Sequence, residues 1–240
     1  MTGARWRAVL LIAALALAAV AAILVARRPE SAATAAEEKP ALLLLTSLPL
    51  MFGEQFSLDQ GGSDALTALE RHYRVLPIGV TDPAELRRGR LLLMAQPPAQ
   101  TAEDLVALDN WVRKGGKVLL LADPLLEWPS ERPLGDPLRP PPMFADTGLL
   151  GHWGLRLDAP EQRGPQVRQL GGKRIVTASP GSLHGSCEIG DDRLVARCRL
   201  ARGAATIVAD ADFLGAQHLD GGTQGNLDGL VEELQRLARI

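Results

Sequence analysis

The sequence predicts a three-layer α/β domain with a mostly parallel sheet, which follows an N-terminal transmembrane helix. Two observations predict this: an unbroken apolar run of 19 residues near the N-terminus, and a later alternation of short apolar runs with helix-like segments. The 240 residues carry 26 Lys and Arg against 28 Asp and Glu, a formal charge of -2. This balance excludes a basic nucleic-acid-binding protein, and the 46% hydrophobic share excludes a largely disordered chain.

The apolar run covers Ala8 to Ala26 and contains no charged residue. As a helix it would be about 28 Å long, which matches the hydrocarbon thickness of a bilayer. A cleaved signal peptide is the alternative, because small residues that suit cleavage stand at 33–35. The run is longer than the usual signal-peptide core, and Arg27 and Arg28 separate it from that site. We therefore expect an anchor that stays attached.

The charges around this run predict how the chain is organised. We expect a short cytoplasmic tail at 1–7, the anchor at 8–26, a linker at 27–40 and one α/β domain at 41–240. The arginines on the two sides of the anchor are nearly balanced, and the terminal amine favours the short side as cytoplasmic. The sequence thus predicts a single-pass protein of the inner, cytoplasmic membrane with a periplasmic C-terminal domain.

In the first half of the domain, strands alternate with helices. Short apolar runs of the kind buried on both faces of a parallel sheet stand at 41–47, 73–79, 90–95 and 117–122, and helical patterns at 64–72, 83–88 and 101–114. The third helix is the best defined, because Thr101 and Asp104 form a capping pattern and Gly115-Gly116 ends it. A helix between two apolar strands predicts a right-handed parallel crossover.

The second half of the domain begins with a long irregular segment. Residues 123–146 contain seven of the 17 prolines, and a loop of that length is usually functional or mobile. Further strands are predicted at 154–157, 174–178 and 204–209, a hairpin from Cys187 to Leu200, and a final helix over 225–240.

Three stretches together resemble a known family. They are AQPPAQTAEDLVALDNWVRKGGKVLLLADP at 95–124, ATIVADADFLG at 205–215 and GNLDGLVEELQRL at 225–237. They resemble the soluble domain of the GldG-like auxiliary proteins of ABC-type transport systems, over about residues 41–240. The resemblance implies a flavodoxin-like or class I glutamine amidotransferase-like fold. It also implies a place in the membrane beside an ABC ATPase and a permease as partners.

The fourth predicted strand ends without the nucleophile that an amidotransferase needs. Its end reads Ala122-Asp123-Pro124, with no Cys or Ser at the turn. The sequence therefore predicts a protein that is not an enzyme: a membrane-anchored, non-catalytic accessory subunit of an ABC-type transport system, with its α/β domain in the periplasm. The alternatives are a carboxylate-based hydrolase and a small-solute-binding domain tethered to the membrane.

Cys187 and Cys198 stand on either side of a predicted turn, with ten residues between them. A disulfide between neighbouring strands is the favoured interpretation, because an oxidising compartment suits it. Two free thiols and a metal-binding pair are the alternatives. The four histidines show no ligand spacing, so the sequence predicts no metal site and no cofactor; they are His72, His152, His184 and His218.

Three acidic residues follow buried strands: Asp123 follows one, and Asp210 and Asp212 follow another. The carboxyl ends of strands in open α/β sheets line the ligand crevice, so these side chains could bind a cation or a polar ligand. The alternative is that they cap the following turn or helix. Trp128 and Phe144 in the Pro-rich segment are candidate partner contacts, and packing against the domain itself is equally open.

Overall fold

The computed structural model describes residues 39–52, 62–190, 192–218 and 224–240. The predicted tail, the predicted anchor at 8–26 and most of the predicted linker lie outside these residues. Within the described part of the chain, no helix is long and apolar enough to cross a bilayer.

The described elements are eleven strands and five α-helices. The strands are β1 (Ala41–Thr46), β2 (Arg74–Pro77), β3 (Leu91–Ala95), β4 (Lys117–Leu121), β5 (Leu155–Asp158), β6 (Pro165–Leu170), β7 (Lys173–Ala178), β8 (Ser182–Gly185), β9 (Glu188–Ile189), β10 (Val195–Leu200) and β11 (Gly203–Val208). The helices are α1 (Asp64–His72), α2 (Pro83–Leu86), α3 (Ala102–Arg113), α4 (Leu149–His152) and α5 (Gln224–Ala238), with a 3-10 helix at Asp212–His218.

Seven strands form the central sheet in the order β2-β1-β3-β4-β11-β10-β9. The first five run parallel to one another, whereas β10 pairs antiparallel with β11 and with β9. Two separate antiparallel pairs, β5–β8 and β6–β7, stand outside this sheet. Four of the eight strand pairings are therefore parallel and four are antiparallel.

The predicted fold class is therefore wrong. The prediction was a three-layer flavodoxin-like or class I glutamine amidotransferase-like domain with a mostly parallel sheet behind a transmembrane helix. Within the described residues the structure instead has one mixed sheet and two antiparallel pairs with few helices, of which only α3 and α5 exceed ten residues. The reason lies in the short connections of the second half. Ala201-Arg202 joins β10 to β11, and two residues can turn a hairpin but cannot hold a parallel crossover.

Local sequence signals explain where the main helices begin and end. The Ser63 hydroxyl accepts a hydrogen bond from the Leu66 backbone N–H at 3.1 Å, which caps α1. The Thr101 hydroxyl accepts from the Asp104 N–H at 3.2 Å and donates to its carboxylate at 2.8 Å, which caps α3. Gly115, at a φ of +109°, ends α3 where a side chain would be strained.

The parallel strands give the central sheet two different edges. We call the edge where β1, β2, β3, β4 and β11 begin the amino edge, and the edge where they end the carboxyl edge. The inner strands β1, β3, β4 and β11 are mainly apolar and buried, as in β3, where all five side chains are buried. The first polar residues after β3, β4 and β11 therefore meet at the carboxyl edge: Gln96 follows β3 directly, and Asp123 and Asp210 follow β4 and β11 after one alanine each.

Candidate functional site

Three carboxylates converge at the carboxyl edge. Asp123 follows β4 by one residue, and Asp210 and Asp212 follow β11, the neighbouring strand, in which Val208 is paired with Leu121. One carboxylate oxygen from each of the three lies within 4.8 Å of the other two. Asp123 and Asp210 are fully buried, and Asp212 is 5% exposed. We call these three residues the acidic cluster.

Asp123 joins the ends of two strands through its hydrogen bonds. One oxygen accepts from the Leu125 N–H at 2.8 Å, and the other accepts from the Ala211 N–H at 2.9 Å. Its own backbone N–H donates to the Gln96 side-chain oxygen at 3.0 Å, so the residue after β3 is joined as well. Asp123 therefore caps the turn that follows β4, which is one of the two interpretations that the sequence left open. Its carboxylate also lies near those of Asp210 and Asp212.

The other two members are bound less completely. Asp212 Oδ2 accepts from the Glu127 N–H at 2.8 Å, and Asp210 Oδ1 accepts from the Phe213 N–H at 3.0 Å. Asp210 Oδ2 is buried and has no hydrogen-bond partner among the described residues. An unpaired buried oxygen costs about 1–3 kcal/mol of desolvation, and more when it is charged. The cluster thus contains one oxygen that the protein itself does not satisfy.

Burial and mutual repulsion change the ionisation of the acidic cluster. Burial raises the pKa of Asp123 to about 6, although the N–H groups of Ala211 and Leu125 oppose the rise. Burial, and then the charge on Asp123, raises the pKa of Asp212 to about 8. Burial, followed by the charges of both neighbours, holds the pKa of Asp210 well above its usual range. Near neutral pH Asp123 is therefore largely ionised, whereas Asp210 and Asp212 retain their protons unless a cation offsets the negative charge.

A Pro-rich segment lies over the acidic cluster. We call residues 124–146 the cover segment. Its two ends are fastened together, because the Phe144 N–H donates to the Asp123 carbonyl at 2.6 Å and the Leu126 N–H donates to the Pro142 carbonyl at 2.9 Å. The Gln96 amide donates to the Pro141 carbonyl at 3.2 Å. The segment is thus closed over the carboxylates by hydrogen bonds from the strand ends.

The two predicted partner contacts, Trp128 and Phe144, lie in the cover segment and pack in part against the core. A Cβ placed on Gly215 would lie 2.7 Å from the Trp128 ring, so the ring rests directly on the start of the 3-10 helix. The structure thus gives both aromatic side chains contacts within the domain. A partner would meet the parts of them that stay half exposed.

Three polar residues around the acidic cluster escaped the sequence analysis. Gln96 and Ser179 have positive φ values of 43° and 49°, which are strained for residues other than glycine. The Ser179 hydroxyl donates to Glu127 at 2.7 Å and accepts from the Gly164 N–H at 2.8 Å. Gln96 follows β3 directly, so the rule that singled out Asp123 would have found it; Ser179 and Glu127 carry no such signal.

The remaining predicted sites lie away from the acidic cluster. Cys187 and Cys198 form a disulfide beside the β9–β10 pair. His152 lies 3.3 Å from Asp109, and His184 lies 3.2 Å from Asp158. His72 neighbours Tyr73, and the side chain of His218 lies outside the described residues. No described histidine side chain therefore belongs to the acidic cluster of Asp123, Asp210 and Asp212.

No protein-family profile and no curated protein matches the sequence. Solved structures that are similar to this chain include the exo-β-1,4-mannosidase Op5Man5 from Opitutaceae bacterium strain TAV5, with a TM-score of 0.46 and 12% identity over 85% of this chain and 35% of the enzyme. The GH42 β-galactosidase Gan42B from G. stearothermophilus has a TM-score of 0.47 and 13% identity over 83% of this chain and 30% of the enzyme.

A third similar structure is the cytoplasmic protein STM3548 from Salmonella typhimurium, with a TM-score of 0.49 and 10% identity over 82% of this chain and 98% of that protein. The chain spans about a third of the length of the two glycosidases it resembles. At these identities and TM-scores the likeness assigns no substrate to this chain.

The prediction that the protein is not an enzyme is wrong on these findings. Three carboxylates with raised pKa values converge at one strand edge. The prediction rested on the lack of a Cys or Ser nucleophile and kept a carboxylate-based hydrolase only as an alternative. Carboxyls whose pKa values lie near neutrality can themselves donate and accept protons.

Proposed function

We propose that the protein is a membrane-tethered accessory component of an ABC-type transport system, with its domain held against the membrane surface by its amino edge. The family resemblance at 95–124, 205–215 and 225–237 supports the transport role, and the apolar run at 8–26 supports the tether. The observation that carries the proposal is the positive charge of the amino edge. Lys39, the first described residue, belongs to this edge.

Basic side chains gather along that edge. We call them the basic edge: Lys39, Arg74, Arg90, Lys114, Lys117, Arg202 and Arg239. All except the half-buried Lys117 are exposed. The strand register supports their grouping, because Ala41 is paired with Arg74, and Leu91 and Ala204 are both paired with Lys117.

The C-terminal ends of the helices reach the same edge. The Lys39 amine donates to the Glu70 carbonyl in the last turn of α1 at 2.6 Å, and the Lys117 amine donates to the Ala238 carbonyl at the end of α5 at 2.5 Å. The Arg202 N–H donates to the Arg113 carbonyl at the end of α3. The helix dipole makes basic residues favourable at helix C-termini, which explains why they gather along this edge.

A basic surface on a protein with a predicted membrane anchor fits a role at the bilayer. Each Lys or Arg close to an anionic lipid surface contributes about 1 kcal/mol of attraction. The disulfide between Cys187 and Cys198 suits an oxidising compartment and so supports a periplasmic domain. The exposed apolar residues Leu134, Leu138 and Met143 in the cover segment offer partners a second surface.

The test is a pull-down of the tagged full-length protein, solubilised in mild detergent from its own membranes after crosslinking in cells. We expect mass spectrometry to find an ABC ATPase and a permease in stoichiometric amounts. Recovery of the protein without either subunit, at unchanged yield, would overturn the transport role. Extraction of the protein by alkaline carbonate would overturn the tether.

The convergence of the acidic cluster favours a second candidate function, a carboxylate-based hydrolase. Carboxylate oxygens of Asp123 and Asp212 lie within 4.8 Å of each other, and two neighbouring carboxyls that share a proton form the acid–base pair of aspartic proteases. The test is an assay of the full-length protein on chromogenic glycosides, esters and peptides between pH 5 and 8. Turnover that Asp212→Asn abolishes would support this function, and no turnover on any of these substrates would count against it.

A further inference from the structure

We propose that Asp123, Asp210 and Asp212 form a binding site for a hard divalent cation of the size of Ca²⁺, which fastens the cover segment to the end of β11. The inference is independent of the proposed transport role. It rests on the oxygen geometry, the surroundings of Asp210 and the connections of the cluster.

The oxygen geometry suits a calcium ion. One oxygen from each carboxylate lies within 4.8 Å of the other two. Calcium binds oxygen ligands at about 2.3–2.6 Å, so two oxygens on opposite sides of it stand up to about 4.6–5.2 Å apart. Magnesium binds at about 2.0–2.1 Å, and its opposite ligands span only about 4.2 Å. The bound of 4.8 Å admits three carboxylate oxygens around one Ca²⁺, and burial favours Ca²⁺ over Mg²⁺ because Mg²⁺ gives up its water shell reluctantly.

Asp210 Oδ2 is the second observation that points to a ligand. This oxygen belongs to a fully buried member of the acidic cluster and has no hydrogen-bond partner in the described part of the chain. A protein that buries a polar atom normally supplies a donor for it. Here the two nearest acidic neighbours offer negative oxygens, and a cation is the group that such an oxygen binds.

The charge balance of the cluster points the same way. Among the described residues, the ion pairs of Lys, Arg and His go to other acids, and none reaches Asp123, Asp210 or Asp212. Buried carboxylates are usually paired with a cation or coordinate a metal. A divalent ion would offset two of the three charges at once.

The connections of the cluster indicate what the ion would do. Asp123 directly precedes the cover segment, the Glu127 N–H in that segment donates to Asp212, and Asp210 and Asp212 belong to the chain after β11. An ion bound between them would join the cover segment to the central sheet. Its removal should loosen residues 124–146 and leave the rest of the sheet in place.

The test uses the full-length protein in detergent after treatment with EDTA. We expect elemental analysis to find about one Ca²⁺ per chain after CaCl₂ is added back. At one hundred times the Kd, the Tm should rise by about 5–10 °C. MgCl₂ and MnCl₂ are added in parallel samples, and we expect a smaller rise in Tm with MgCl₂ than with CaCl₂.

Two variants locate the site. Asp210→Asn should lose the Ca²⁺-dependent rise and keep or exceed the wild-type Tm in EDTA, because an amide cannot ionise beside the other two carboxyls. Asp136→Asn is the matched control in the cover segment, since Asp136 lies outside the cluster and binds the Leu138 N–H; it should retain the full rise. If Asp210→Asn does not fold, Asp212→Asn replaces it.

The proposal is overturned if the wild-type protein binds no Ca²⁺, Mg²⁺ or Mn²⁺ and shows no change in Tm. It is equally overturned if Asp210→Asn and Asp212→Asn bind the ion as tightly as the wild type. Either result leaves the proposed transport role untouched, because the pull-down that tests that role does not depend on the ion.

Discussion

At the amino edge of the central sheet the charged side chains are basic and exposed, whereas at the carboxyl edge three acidic side chains are buried. Both sets lie at the ends of the same strands, and both agree with the helix dipoles, which favour cations at helix C-termini and anions at N-termini. They differ in solvation. Exposed cations stay hydrated and cost little, whereas buried carboxylates lose their water and repel one another. Only the carboxyl edge therefore needs a partner for its own stability.

The largest effect should come from the removal of a carboxylate that joins two strand ends. Asp123→Ala leaves the buried N–H groups of Leu125 and Ala211 without an acceptor. We expect a loss of about 3–5 kcal/mol in the free energy of unfolding, measured by urea titration. Asp123→Asn, which keeps one acceptor oxygen, is the control and should lose less. Equal losses for the two variants would show that these hydrogen bonds do not matter.

The disulfide belongs to neither set of charges and therefore gives a reference for the comparison. The substitution of both Cys187 and Cys198 by Ser opens a loop with a sequence separation of 11. We expect a loss of about 2–3 kcal/mol in the free energy of unfolding. The loss is limited because a disulfide that closes a short loop removes little conformational entropy from the unfolded chain. Urea unfolding of the oxidised wild type and of the double variant measures it. A loss below about 0.5 kcal/mol would contradict the expected stabilisation.

Asp109 on α3 differs from the acidic cluster, because positively charged and polar side chains donate hydrogen bonds to its carboxylate. Burial opposes its ionisation, but hydrogen bonds from Arg113, Trp153 and His152 outweigh burial and lower its pKa. A lowered pKa in the folded state stabilises the protein above the unfolded pKa, about 3.9, and that stability disappears as the pH falls through the folded value.

We therefore expect Asp109→Asn to lose about 1 kcal/mol in the free energy of unfolding at pH 7, mainly through the charge-assisted hydrogen bond from the Arg113 guanidinium at 2.7 Å. The loss relative to wild type should shrink as the pH drops below about 4. Thermal unfolding of both proteins between pH 3 and 7 measures it. A difference that stays constant over this range would contradict the lowered pKa.

The smallest effect on stability should come from the basic edge. We expect that Arg90, Lys114 and Arg202, changed together to Gln, alter the unfolding free energy by less than about 0.5 kcal/mol, because exposed charges contribute little. Arg163, Lys173 and Arg174, which are also exposed, form the matched control triple when changed to Gln. A large loss confined to the first triple would mean that the basic edge is part of the folding energy and not a surface for other molecules.

The sequence was most informative about strands and about the residues directly after them. The apolar runs at 41–47, 90–95 and 117–122 lie on β1, β3 and β4, and the polar residues behind such runs led to Asp123, Asp210 and Asp212. The mixture of parallel and antiparallel pairings was not predicted, because a short apolar strand can have the same sequence pattern in both kinds of pair. β6 was missed since Pro165 and its alternating polar residues make an exposed hairpin strand look like a loop.

The surroundings of the acidic cluster could not be predicted in the same way. Ser179 and Glu127 are 52 positions apart and meet only because the cover segment folds back over the strand ends. The unpaired oxygen of Asp210 likewise depends on which backbone N–H groups the turns direct toward it. Such facts arise from tertiary contacts, so no local pattern signals them.

Amide hydrogen exchange of the full-length protein in nanodiscs, with and without anionic lipid and with and without Ca²⁺, probes both edges of the sheet in one experiment. We expect anionic lipid to slow exchange around residues 39–41, 113–117 and 202–204, and Ca²⁺ to slow exchange in the cover segment at 124–146. Each effect should occur without the other. Protection of the cover segment by lipid, or no response of either edge to its own ligand, would contradict the division of roles between the two edges.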